Sequence, residues 1–382
     1  MKLEKQTLSI LIVAGEASGD NIGGLLCAEL RLLRPDLELF GLGGDRMDAS
    51  GVRLLYHANQ LAFLGFWEVL KHLPFIRQVE RRVIDEVKLI KPSLAILIDY
   101  PGFNLRLAAR LKDMGVPVMY YVSPQVWAWG KGRIARIKRL VDRMVVVFRF
   151  EQDMYRDEGV AVEWYGHPLL EVVKPRLDRA SLLERIGLSA DDRYIGLFPG
   201  SRKQEIENIL PVMVATLSEL QESGSNLKSV VGCAAGIDDD LYRTIGSDKL
   251  IYARALTYDV MAHSELNLVA SGTATLESAI LGKPLFVLYK TSTVTYHIAR
   301  NLIKIPFIGL VNVVAGKKVV PEFIQGECRP MKIVTEVRRF LSEEPFRKKM
   351  ADDLSRVKSL LGNEGASRKV AETVLQMVGA AP

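Results

Sequence analysis

Apolar residues along the chain gather in short unbroken runs, each followed by a stretch where they recur every third or fourth position. The first series is "LSILIVA" (8–14), "LELFGLGG" (37–44), "SLAILID" (93–99), "VPVMYYV" (116–122) and "RMVVVF" (143–148). The second is "YIGLFPG" (194–200), "LKSVVGC" (227–233), "ELNLVASG" (265–272) and "PLFVLY" (284–289). Continuous rather than alternating apolar character predicts parallel strands covered by helices on both faces. Strict alternation with helical patterns, such as those at 21–33 and 105–112, predicts doubly wound sheets. Between the two series, 166–192 carries two prolines and dense charge without a strand pattern, and reads as a linker plus one helix. From about Met331 to residue 378 only helical patterns remain. The expected class is α/β, with two Rossmann-like doubly wound domains facing a cleft and a ligand in that cleft.

Composition narrows the picture without naming a ligand. A chain of 382 residues suits two domains. Its 48% hydrophobic and 25% charged residues suit sizeable cores rather than disorder. A net charge of +6 admits nucleotide, phospholipid or nucleic acid as partner and does not choose among them. Cys27, Cys233 and Cys328 lack CxxC spacing, which argues against a disulfide scaffold or zinc site and for a reducing cytosol. The N-terminus has lysines before an apolar run, as a signal peptide does. That run is short and passes into a glycine loop and a helix pattern, so it reads as the first strand. No apolar run approaches the roughly 18–20 residues that span a bilayer, so the expected protein is soluble or attached to a membrane surface.

Candidate chemistry lies just after the strands. In "LFPGSRKQE" (197–205), Gly200 and Ser201 turn the chain into a helix whose N-terminus suits phosphate, and Arg202 adds a bidentate cation. An ordinary turn with a solvated arginine fits that stretch equally well. In "VASGTATLE" (269–277), Ser271, Gly272, Thr273, Ala274 and Thr275 supply donors at a second helix start. Glu277 follows about one turn in, where a carboxylate can accept both hydroxyls of a ribose or simply favour the helix dipole. No Walker loop occurs, and "GLGGD" (41–45) is a fragment of a dinucleotide fingerprint, so a sugar nucleotide held by the second domain fits better. In "AGEASGDNIGG" (14–24), Gly15, Glu16, Ser18, Gly19 and Asp20 occupy the first loop for the other substrate, with helix capping the favoured role for Asp20. Asp99 ends a buried strand in "LIDYPGFN" (97–104), where an unpaired carboxylate is costly, and a catalytic base is the favoured role.

The remaining features divide between chemistry and packing. The tryptophans of "YYVSPQVWAWGKGR" (120–133) line a sugar or lipid cleft or pack in the core. His167 reaches a diphosphate or is a turn histidine. "GIDDDLYR" (236–243) contains Asp-x-Asp, read as a helix cap, and no metal is expected. In 61–78, Phe63, Phe66, Trp67, Leu70 and Leu73 make one helical face, and Leu61, Leu64, Val69, Phe75 and Ile76 add more apolar surface than one buried stripe uses. Lys71, Arg77, Arg81 and Arg82 follow, with a second basic run from Lys131 to Arg143, so membrane contact is expected at this ridge. Nucleic acid is not an expected partner, because no reader motif accompanies the charge.

Taken together, "VAGEASGD", "IDYPGFN", "YYVSPQVWAW", "LFPGSRKQEIE", "ASGTATLE" and "VNVVAGKKVVPEFIQ" (311–325) resemble lipid-A-disaccharide synthase, in that family's order across most of the chain. The resemblance implies the GT-B glycosyltransferase fold, with last helices crossing back onto the first domain. The implied divisions are 1–168 for an acceptor and membrane-facing domain, 169–345 for a UDP-sugar domain and 346–382 for the returning helices. It implies transfer of 2,3-diacylglucosamine from UDP-2,3-diacylglucosamine to 2,3-diacylglucosamine 1-phosphate, giving a β-1,6 disaccharide phosphate and UDP with inversion and no cofactor. Asp99 would be the base, Arg202 the diphosphate's partner, Glu277 the ribose's, and Asn312 part of the UDP-sugar site. Where the family often carries Leu-Pro-Asn, this chain has Val311 before Asn312. The implied place is the cytoplasmic face of an anionic inner membrane, bound peripherally; a homodimer is allowed. A UDP-sugar epimerase on the same fold and a non-catalytic nucleotide sensor at a membrane are the other readings.

Overall fold

The computed structural model describes residues 8–61, 73–127, 131–247, 250–292, 296 and 306–380. The chain forms two compact units, residues 1–168 with 362–382, and residues 169–361.

The first unit is built on a seven-stranded parallel sheet of order β3-β2-β1-β4-β5-β6-β7. Its strands are β1 (Ser9–Ala14), β2 (Glu38–Gly43), β3 (Arg53–His57), β4 (Leu94–Ile98), β5 (Val118–Tyr121), β6 (Arg143–Val146) and β7 (Val162–Trp164). β1 is paired on both sides, with Ile10 opposite Leu39 of β2 and Leu94 of β4. The winding reverses there, and such a reversal opens a crevice at the carboxyl ends of the two strands. Every residue of β1 and β4 is buried, which is why their runs are unbroken.

Helices begin earlier than their apolar periodicity implies. The first spans Ala17–Leu33, and the one after β4 spans Pro101–Asp113. Proline at the first position costs nothing because its missing N–H has no intrahelical partner. Ser18, Gly19, Asp20 and Asn104 therefore lie in first helical turns rather than in loops.

The second unit repeats the plan with six parallel strands ordered β10-β9-β8-β11-β12-β13. They are β8 (Tyr194–Phe198), β9 (Lys228–Cys233), β10 (Ile251–Arg254), β11 (Leu266–Ala270), β12 (Leu285–Tyr289) and β13 (Glu322–Ile324). Its winding reverses between β8 and β11.

The tail divides differently from the expected 345/346 boundary. The helix Glu344–Leu360 stays with the second unit, against helices Ala274–Ile280 and Leu310–Ala315. Its buried Asp353 takes Lys317 at 2.9 Å and Lys349 at 2.8 Å. Only Ala366–Met377 joins the first unit, packing on Ala17–Leu33, with Tyr165 Oη 2.8 Å from Thr373 Oγ1.

The apolar stretch 61–78 also departs from a single ridge. Leu61 and Ile76 are buried, and Phe75 meets Tyr56 edge-on at 5.9 Å, so all three belong to the first unit's core. The helix here begins at Leu73, which is half-buried, and runs to Ile90. Phe63, Leu64, Phe66, Trp67, Val69 and Leu70 lie outside the described residues. No described helix is long and apolar enough to cross a membrane. The three cysteines are free and buried, and burial pushes the Cys27 thiol up to about 12.

Candidate active site

In the first unit, two sequence motifs meet at the switch between β1 and β4. Gly15 follows β1, and Tyr100 follows Asp99 at the end of β4. A Cβ on Gly15 would sit 2.3 Å from Tyr100 Cδ1, so only glycine permits this approach. The Tyr100 hydroxyl donates to the Leu61 carbonyl at 3.3 Å. Burial, and then the charge of Glu16, raise its pKa. Glu16 itself is the extended residue ahead of the first helix, and its carbonyl accepts the Asp20 N–H at 2.9 Å while its side chain makes no cap bond.

Asp20 caps a helix, but not its own. Its carboxylate accepts from the backbone N–H groups of Gly44 (2.7 Å), Arg46 (3.0 Å) and Met47 (3.1 Å), closing the turn into helix Asp45–Ala49. The buried carboxylate is thereby paired with a helix start, which satisfies donors that would otherwise be orphaned. Of the glycines in "GLGGD", Gly44 is the N-cap of this turn, whereas Gly41 and Gly43 lie in β2.

The backbone at the end of β4 and β5 is strained. Asp99 and Tyr100 have φ of +47° and +48°, and Val122 has φ of +64°. Each non-glycine residue held there costs about 1–2 kcal/mol. The Asp99 carbonyl accepts from Tyr120 Oη at 2.6 Å and from Asn104 Nδ2 at 2.8 Å. Asn104 is wholly buried, and its Oδ1 has no hydrogen-bond partner, which costs about 1–3 kcal/mol.

Beyond β5, Ser123 and Trp127 are tied down by Glu151, a residue not singled out from the sequence; Trp129 lies outside the described residues. Glu151 accepts from Ser123 Oγ (2.7 Å), Trp127 Nε1 (3.0 Å) and the Phe148 N–H (3.2 Å). Burial nevertheless pushes its carboxyl up to about 7. Its legible signal was position alone: an acid three residues past Phe148, the last residue of the apolar run, where it caps helix Arg149–Asp157. Trp127 is half-buried, with its ring 5.5 Å from that of the exposed Phe150. His167 is buried against Phe148, where desolvation lowers its pKa to about 3 and favours the neutral imidazole.

In the second unit, both small-residue turns also flank a switch, at the carboxyl ends of β8 and β11. Gly200 has φ of +119°, and a Cβ there would lie 2.3 Å from Glu205 Oε2. That carboxylate accepts from the Ser201 N–H at 3.1 Å and from Arg202 Nη1 at 3.3 Å. The turn thus already coordinates an anionic group, as a helix start with an adjacent guanidinium should. Arg202 stands just ahead of the 20-residue helix Lys203–Glu222 and is partly exposed.

Two expected hydroxyl donors of the other turn are spent internally. Ser271 Oγ donates to the Ile308 carbonyl at 3.0 Å, and Thr275 Oγ1 to Gly272 O at 2.8 Å. Backbone N–H groups at Gly272, Thr273 and Ala274 stand at the start of helix Ala274–Ile280, where no preceding turn supplies carbonyls. Glu277 is half-buried, and desolvation pushes its carboxyl up to about 7 against a hydrogen bond from Tyr258.

Asn312 has no capacity left for a ligand. Its Oδ1 accepts from the N–H groups of Val319 and Val320, and its Nδ2 donates to Val320 O and Glu322 Oε1. Glu322 in turn accepts from the N–H groups of Ile308 and Gly309. Asn312 therefore latches helix Leu310–Ala315 to β13. Val311 is the second residue of that helix, where an N–H has no intrahelical partner, so neither valine nor proline costs the helix a hydrogen bond there. Elsewhere, Asp238 caps helix Asp239–Ile245 by accepting from Asp240 N–H, and Asp239 pairs with Arg254. In the second basic run, Arg136 donates to Leu105 O and Arg143 pairs with Glu163.

A family model described as lipid-A-disaccharide synthetase matches residues 10–378. The chain belongs to this family. It is 43% identical over 372 residues to the lipid-A-disaccharide synthase of Myxococcus xanthus, covering 97% of each chain. It is 40% identical over 380 residues to that of Geobacter sulfurreducens, with 98% of this chain and 99% of the other covered. The chain is therefore a glycosyltransferase of lipid A disaccharide formation. Among solved structures, UDP-GlcNAc 2-epimerase from Neisseria meningitidis bound to UDP-GlcNAc superposes with a TM-score of 0.66 at 14% identity, covering 97% and 100% of the two chains. The calicheamicin glycosyltransferase CalG4 gives 0.61 at 14%, covering 98% of each. At that identity the likeness speaks for the fold alone, the two-Rossmann GT-B type. Membership in the synthase family decides against the epimerase reading.

Proposed function

We propose that the chain transfers 2,3-diacylglucosamine from UDP-2,3-diacylglucosamine to 2,3-diacylglucosamine 1-phosphate by one inverting displacement. The acceptor's 6-hydroxyl oxygen attacks the anomeric carbon, and its proton passes to Asp99. The bond from that carbon to the diphosphate breaks, and UDP leaves as the anion. Arg202 and the Ser201 N–H receive the developing charge, the N–H groups at 272–274 add to it, and Glu277 holds the ribose. Donors fixed before the reaction stabilise such charge without reorganising. The observation that carries this reading is the placement of all four motifs at the switch points of their own sheets, where open α/β sheets bind ligands.

Acylated substrates reside in a bilayer, so peripheral attachment to the cytoplasmic face of the inner membrane follows as part of the proposal. Phe63, Phe66, Trp67 and Leu70 supply its apolar contact, with Arg77, Arg81 and Arg82 for anionic headgroups.

The test is incubation of the purified protein with both acylated substrates, the disaccharide being read by mass spectrometry and its linkage by NMR. Asp99→Asn should keep UDP affinity and lose about 10²–10⁴-fold in rate, the usual share of a general base. An α-linked product, or free sugar instead of disaccharide, would sink the proposal.

A further inference from the structure

Asp99 is the second-last place where the chain can be steered before the helix Pro101–Asp113 takes over, and its direction depends on its backbone. Asp99 and Tyr100 are consecutive left-handed residues, a conformation that the chain holds only when its surroundings impose it. The Asp99 N–H is taken by the Tyr121 carbonyl at 3.0 Å, as in an ordinary strand pair. Its carbonyl is not. Tyr120, from the neighbouring strand β5, reaches it at 2.6 Å, and Asn104, one helical turn on, reaches it at 2.8 Å. The same Asn104 amide also holds the Ile98 carbonyl at 3.1 Å. Both side chains are fully buried, and neither has a surface from which to touch substrate.

We infer that Tyr120 and Asn104 are positioning residues for the transfer, clamping the Asp99 carbonyl so that the left-handed backbone directs the carboxylate at the acceptor. The inference rests on Asp99 being the base. Two features argue for positioning rather than packing. Asn104 keeps a buried Oδ1 without a partner, which an apolar side chain of similar size would avoid, so its donors are what the site uses. Burial holds the Tyr120 hydroxyl protonated at any working pH, so it donates permanently. Supporting groups of this kind set a site's geometry without entering it.

The test is a pair of substitutions, Tyr120→Phe and Asn104→Ala, each on the wild-type and the Asp99→Asn background. In the wild type each should lower kcat about 10–100-fold, the cost of a misdirected group, while UDP affinity by calorimetry stays within about twofold. On Asp99→Asn the same changes should cause almost no further loss, because they act through a base that is already gone. An equal loss on both backgrounds, or full kcat in both wild-type variants, overturns the clamp. Failure of the base assignment is seen separately, as near wild-type rate in Asp99→Asn alone. If Tyr120→Phe melts early, Asn104→Ala carries the comparison, with melting temperature measured for each.

Discussion

Gly15 and Tyr100 touch so closely that a single added carbon would lie 2.3–2.7 Å from three atoms of the tyrosine ring. This contact joins the loop after β1 to the loop after β4, and Tyr100 is the residue next to Asp99. Gly15→Ala must therefore displace the ring, and overpacking of this kind costs about 1–3 kcal/mol. The variant should melt several degrees lower and lose most of its transfer rate while UDP affinity stays unchanged, since the groups proposed for UDP lie on the second unit. Unaltered melting and unaltered turnover together would deny the contact.

Arg202 and Glu205 predict opposite effects. Glu205 holds the Ser201 N–H and the Arg202 guanidinium, so a diphosphate bound there as proposed would compete with its carboxylate. Glu205→Gln should tighten UDP binding several-fold by calorimetry, because the competitor loses its charge. Arg202→Ala should remove most turnover with the fold intact, as its partly exposed ion pair contributes little to stability. Arg202→Lys should recover only part, since a point charge cannot match a fork on two phosphate oxygens. EDTA should leave the rate unchanged; loss of rate restored by magnesium would overturn this account of the charge.

Glu277, placed at the ribose in the proposed reading, predicts a pH dependence of UDP binding. Its carboxyl titrates at about 7 in the fold, above its ordinary range, because of burial. A raised acid pKa means that the folded state binds the extra proton, so this group's contribution to stability falls as pH rises from about 4.5 to about 7 and is flat above. Ribose hydroxyls need the ionised carboxylate, so UDP affinity should move the other way. With the competent form rising from about a tenth to nine-tenths, affinity should increase about tenfold from pH 6 to pH 8. Glu277→Gln, titrated in parallel, removes this component and leaves only the phosphate's own titration. A wild type as flat as that variant would remove Glu277 from the ribose site.

Residues 61–78 offer a test by sign. Burial of a large apolar side chain is worth about 1.5–3 kcal/mol in a core or a lipid interface alike. If Phe66 and Trp67 meet lipid, Phe66→Glu with Trp67→Glu should fold normally and leave anionic vesicles, keeping activity on detergent-dispersed substrate. An unfolded double variant would place them in the core beside Leu61 and Ile76. A folded one that still sediments with vesicles would refute the membrane contact.

The unbroken apolar runs determined by themselves the nine interior strands, the doubly wound class and the division into two series, because a strand covered on both faces must be apolar throughout. The strands they did not disclose are the four sheet edges, β3, β7, β10 and β13. Edges are half-exposed, so "RLLYH" and "VEW" carry no such run. The motif residues were legible as a set, but their partners were not. Asp20 closes a turn 24 residues away, Asn312 is used up on β13, and the Ser271 hydroxyl is spent on the Ile308 carbonyl. Local pattern reports burial, whereas these bonds join residues that only the folded chain brings within 3 Å. The left-handed backbone at Asp99, Tyr100 and Val122 is hidden for the same reason: none is a glycine, and the strain is imposed by neighbours from another strand.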